Sequence, residues 1–121
     1  GAITTTGALT AATKSFLIPH PTKSNMQLQY GSLEGPELGV YIRGRLTNSN
    51  IITLPDYWTG LVRSETITVS LTSIGKSSLH WIDYIQDNQI RIDCADSVDC
   101  FYVVFGERKD VDQLKVEFFS T

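Results

Sequence analysis

Long apolar runs are missing from this chain. No stretch approaches the about 18 consecutive apolar residues of a membrane-spanning helix, so helical insertion into a membrane is not expected. A basic excess is missing too. Lys and Arg number 10 against 13 Asp and Glu, for a net charge of −3. A nucleic-acid partner is therefore not expected, because displacing counterions from phosphates takes clustered cations. Arg43 lies near Arg45, and Arg108 beside Lys109, but neither pair makes a stripe. Histidine and cysteine are scarce, at 2 each. His20, His80, Cys94 and Cys100 lack the spacing of a zinc site, and no metal or other cofactor is expected. Cys94 and Cys100 bracket "CADSVDC". They read as free thiols at the ends of neighbouring strands, with a bridge across a tight loop as the oxidised alternative. The start has no Met and no charged segment leading into an apolar one. The expectation is a piece of a longer chain, not a leader peptide.

What is present is an ordinary globular balance. The 121 residues suffice for one domain, with 41% hydrophobic and 19% charged residues. Residues 1–13, "GAITTTGALTAAT", divide into two similar Gly-Ala-aliphatic-Thr units. Such a low-complexity stretch cannot pack alone. It reads as the end of a fibrous shaft in which Ile3 and Leu9 face an axis shared by several copies, or more plainly as a linker.

Residues 14–121 read as a single β-rich domain. "KSFLIPHPT" is an edge segment, because Pro19 and Pro21 remove backbone donors. Period-two alternation marks strands at 26–30, 38–47, 65–75, 79–85, 89–94 and 113–119, and "IITL" reads as a further one. "FYVVF" is apolar on both faces and reads as a central strand. Asn48-Ser49-Asn50 and Asp87-Asn88 are turn signals. Pro55-Asp56 suits a single helical turn, stopped at Gly60, that drives Tyr57 and Trp58 into a core or an interface. Many short strands and no long amphipathic helix predict an all-β fold, an antiparallel sandwich or barrel-like domain.

The chemistry-bearing residues are few. Glu34 and Glu37 flank Gly35-Pro36. A glycosidase holds two acids roughly 5 to 10 Å apart across a cleft, but an acid pair at a bend more often faces solvent or pairs with Arg. Arg43 and Arg45 are the expected partners, so Glu34, Gly35, Pro36, Glu37, Arg43 and Arg45 are read as a structural turn with salt bridges. "GSLEG" places Ser32 between glycines without forming a nucleophile elbow. Asp93, Asp96 and Asp99 depart from the calcium-loop pattern and read as a hairpin tip. Trp58, Trp81 and Tyr84 are the candidates to stack on sugar rings, although Trp81 and Tyr84 sit in "LHWIDYI" and equally suit a core.

Four blocks, "KSFLIPHPTK", "LQYGSLEGPELGVYIRGRL", "ITLPDYWTGLV" and "TVSLTSIG", occur in this order over residues 14–75. Together they resemble a domain near the C-terminal end of virion structural proteins of tailed bacteriophages, of the T4-like and cyanobacterial type. There it follows Gly/Thr/Ala shaft repeats. The resemblance implies a non-enzymatic tail-fibre or fibre-tip component, made in the host cytoplasm and carried in the virion. It implies a homotrimer contacting other virion proteins and host cell-surface polysaccharide, with Phe16, Leu17, Tyr57 and Trp58 at subunit contacts. Residues 79–121 lie outside the resemblance and are where a receptor-facing part is expected. Two alternatives stand beside it: a self-cleaving intramolecular chaperone cut at a serine such as Ser32, and a carbohydrate-active enzyme using Glu34 and Glu37.

Overall fold

A computed structural model describes residues 15–120. The shaft-like reading of residues 1–13 lies outside the described residues. The domain is all-β and antiparallel. Its strands are β1 (Ser15–Pro19), β2 (Gln27–Gly31), β3 (Gly39–Thr47), β4 (Ile51–Thr53), β5 (Thr68–Ser73), β6 (His80–Gln86), β7 (Gln89–Cys94) and β8 (Asp99–Glu107). A one-turn helix α1 (Trp58–Leu61) and a 3-10 turn (Ser64–Thr66) link β4 to β5.

Strands β1 and β2 pair as a two-stranded sheet. The others form two three-stranded sheets, ordered β3-β8-β5 and β4-β7-β6. Alternation decides which side chains meet between them. On β3, Val40, Ile42, Gly44 and Leu46 point inward, opposite Gly106, Val104, Tyr102 and Cys100 of β8. From the other sheet come Ile52, Ile90 and Ile92, so both sheets bury their inner faces in one core. The central position of "FYVVF" holds, since β8 pairs with both β3 and β5.

Local chemistry sets the turns. Asp87 and Asn88 both have positive φ, the backbone of a two-residue hairpin with the right twist for its strands. The Asn88 side chain donates to the carbonyls of Leu54 and Pro55 at 3.1 and 2.9 Å, tying this hairpin to the start of α1. The helical turn forms where Pro55-Asp56 predicts it and buries Trp58 and Leu61.

Three expectations are corrected. Gly60 is not a helix stop: a Cβ there would stand 2.7 Å from Pro21 Cβ, so the glycine permits close packing against the β1–β2 connection. Gly35-Pro36 does not join paired strands: β2 and β3 belong to different sheets, and residues 35–37 form a bend between them. Residues 113–119 form no strand, although they alternate in the required way, and are exposed throughout. Cys94 and Cys100 are free, the latter buried in β8, where burial pushes its thiol up.

Candidate functional site

The strongest surface constellation lies on the outward face of β6 and β7. Residues 81 and 84 of a regular strand point to opposite sides. Here they do not, because β6 carries a bulge between Ile82 and Tyr84, with Asp83 the extra residue. Ile82 and Ile85 oppose Ile92 and Ile90 and so lie on the inner side of the sheet, although at this edge strand each stays 37% exposed. Trp81 opposes Asp93 and Tyr84 opposes Arg91, which puts both aromatics on the outward face.

Charged groups hold that face in shape. Arg91 Nε lies 3.5 Å from Asp83 Oδ2, and its Nη2 lies 3.3 Å from Asp93 Oδ1. Asn50 Nδ2 donates to the same Asp93 oxygen at 3.3 Å and to the Ile92 carbonyl at 2.8 Å. Trp81 is 42% exposed, and Tyr84 is half-buried beside the Arg91 guanidinium's strand position. The face thus offers an exposed indole, a phenol, two carboxylates and a guanidinium. Rings that are apolar in body and polar at the tip, with fixed donors and acceptors alongside, suit a hydrated ligand with alternating C–H and O–H faces. Asp83 and Arg91 carry no signal in the sequence, Asn50 reads there only as a turn residue, and Asp93, expected at a hairpin tip, lies instead within β7. One signal for the bulge exists: Ile82 and Ile85 are both apolar at a spacing that breaks period two, so a strand that puts both on its inner side needs an extra residue between them.

Trp58 does not belong to this site. It is 2% exposed in the core, and its Nε1 donates to Tyr30 Oη at 3.3 Å. Tyr30 Oη is in turn 2.7 Å from Tyr57 Oη. Burial, then the Tyr30 hydrogen bond, holds the Tyr57 phenol far above its ordinary range. This aromatic knot joins the β1–β2 sheet to α1. Trp58 is thereby removed both from sugar stacking and from subunit contacts. Phe16 is half-buried, with the Arg108 guanidinium 3.8 Å over its ring, whereas Leu17 is exposed.

Glu34 and Glu37 are exposed on the connection between sheets. The partner of Arg45 is neither of them but Asp99, held through two parallel hydrogen bonds of 3.1 Å. The reason is register: Thr47 pairs with Asp99 and Arg45 with Phe101, so β8 brings Asp99 beside Arg45. Arg43 is exposed on the same outward face. Ser32 is exposed on the connection after β2.

One Ser-His pair does meet. Ser73 Oγ is 3.0 Å from His80 Nδ1, and the Asp99 backbone N–H lies 3.3 Å from His80 Nε2. The geometry argues against an activated serine. Nε2 accepts from a backbone donor, so the neutral ring carries its proton on Nδ1 and has no lone pair there for the serine proton. The serine hydroxyl itself donates to the Ser78 carbonyl. The knot closes the β5–β6 connection. His20 is likewise structural, its Nδ1 accepting from the backbone N–H of Thr22 and Lys23 at 3.1 and 2.9 Å.

No family model matches the chain, no curated protein matches it in sequence, and no solved structure matches it in fold.

Proposed function

We propose that this chain is a non-enzymatic structural component of a phage virion, a tail-fibre or fibre-tip domain. It assembles as a homotrimer among other virion proteins and takes host cell-surface polysaccharide on the outward face of β6 and β7. The observation that carries the binding part is the bulge at Asp83, which sets Trp81 and Tyr84 on one face with Arg91 and Asp93. The four-block resemblance over residues 14–75 supports the virion part. Trp81 and Tyr84 stack on sugar rings, Arg91 donates to ring hydroxyls, and Asp83 and Asp93 accept from them. The aromatic surface contributes most of the affinity, because each carboxylate is already shared with Arg91.

The test is binding of purified polysaccharide, from surfaces of the bacteria the phage adsorbs to, by the wild-type protein and by Trp81→Ala and Tyr84→Ala. Binding that falls about tenfold or more in each variant, with an unchanged melting temperature, is the expected result. Binding equal in all three proteins, or none by the wild type, overturns the reading.

A further inference from the structure

Strand β3 is an edge of its sheet: β8 occupies one side, and among the described residues no strand pairs with the other. It is nine residues long, Gly39–Thr47. An edge of that length, with unpaired N–H and C=O groups, is a template for another strand and is normally shortened, bulged or covered.

The same chain carries a segment with strand patterning that pairs with no strand among the described residues. Gln113 is anchored, its side chain donating to Glu107 Oε1 at 3.1 Å. Beyond it Leu114, Val116 and Phe118 alternate with Lys115, Glu117 and Phe119, all exposed. Phe118 is 73% exposed and Phe119 fully so. The pattern is that of a half-buried strand, and the apolar side is uncovered.

From these two surfaces we infer that residues 113–119 of one copy add as a strand to the free edge of β3 in a second copy of this chain. The inference deepens the oligomer part of the function proposed above and rests on it. An antiparallel register satisfies both faces. With Glu117 opposite Arg43, Phe118 falls opposite Ile42, Val116 opposite Gly44 and Leu114 opposite Leu46. These are the inward positions of β3. On the outward side Phe119 meets Tyr41, an aromatic cross-strand pair. Lys115 falls opposite Arg45, whose charge Asp99 already compensates. Gly44 leaves room for the Tyr102 ring, which lies across it: a Cβ on Gly44 would stand 2.6 Å from Tyr102 Oη. Val116 would therefore pack against the Tyr102 ring that covers Gly44. Donation from each copy to the next is a head-to-tail contact, which closes into a ring when the rotation between copies closes, as in a threefold assembly.

The test is sedimentation of the full chain at micromolar concentration beside three variants: a stop after Gln113, Val116→Asp, and Arg43→Glu. The full chain is expected to be an oligomer and the truncated chain a monomer with its core melting intact. Val116→Asp buries an unpaired carboxylate in the contact and weakens association about hundredfold or more. Arg43→Glu dissociates the assembly, and adding Glu117→Arg restores it. A monomeric full chain overturns the inference together with the oligomer part of the proposed function. An oligomer that survives both the truncation and Val116→Asp overturns strand donation alone and leaves the fibre reading standing. Failure of the double charge exchange to restore assembly overturns the register on which the inference stands.

Discussion

Trp58 follows Pro55 and Asp56 in a single helical turn and is 2% exposed, whereas Trp81 stands near the start of β6 and is 42% exposed. Each is one indole in an aromatic-rich neighbourhood. The first has its N–H satisfied by Tyr30 and lies against Gly106, where a Cβ would come 3.6 Å from the indole. The second has Asp93 as its cross-strand partner and solvent on its outer side. Trp58 is a stability residue, because its area is already removed from water within the chain. Trp81 has area left to remove, and only a partner can remove it. The same division runs through β8. Its inward residues Cys100 and Val104 are fully buried, while outward Phe101 and Phe105 stay exposed. Apolar character alone does not separate the two sets; register does.

The largest effect expected from this contrast is on Trp58→Ala. It opens a cavity between the β1–β2 sheet and the core and leaves Tyr30 Oη without its indole donor. A loss of about 3 to 5 kcal/mol is expected, read as a shifted denaturation midpoint. Trp81→Ala changes stability by no more than about 0.5 kcal/mol in the same measurement. Equal losses at the two sites break the comparison.

Gly106→Ala comes next. The added Cβ would stand 2.4 Å from Val62 Cγ1, and Val62 is buried and β-branched, so it has no free rotamer to retreat to. Overpacking of this kind costs about 1 to 3 kcal/mol. A neutral Gly106→Ala shows that α1 is not pressed against β8 as tightly as these distances require. Tyr30→Phe acts at the same junction by another route. It removes one hydroxyl that serves both Tyr57 and Trp58, so a cost of about 1 to 2 kcal/mol is expected by denaturant titration. Tyr84→Phe, on the outward face, is expected to leave stability unchanged.

These contrasts also mark how far the sequence is legible. Strand positions are readable where inward apolar residues recur at period two, as in Val69 and Leu71 or Ile90 and Ile92, but the strand expected over 65–75 is shorter, Thr68–Ser73, because Ser64–Thr66 form a 3-10 turn capped by Ile67. The turn at Asp87-Asn88 was readable because those residues tolerate positive φ. The roles of the two tryptophans were not, because "DYW" after Pro55 and "HWIDY" have similar local composition. What separates them is a bulge and a contact with Tyr30, which lies far away in sequence. The Arg45–Asp99 pair was hidden for the same reason: Glu37 is nearer along the chain, but β8 carries Asp99 to the arginine. Residues 113–119 failed differently. Their alternation predicts a strand, but among the described residues no strand pairs with them, and period-two patterning reports a readiness to pair without naming the partner.

The smallest effect tests whether the exposed ion pair on the outward side of β3 behaves as a surface contact. The Arg45 guanidinium, chiefly through its hydrogen bonds, holds the Asp99 carboxyl below its ordinary value. A carboxyl depressed in the folded state contributes stability above its unfolded value, and that stability is lost as pH falls through the folded value. Wild type should therefore melt slightly above Arg45→Ala near neutral pH. The gap should close on acidification below the ordinary carboxylate range, and it should shrink with added salt, because the pair is exposed. A gap that persists in strong acid would mean that Arg45 acts through packing of its stem across Phe101, its cross-strand neighbour, and not through the charge of Asp99.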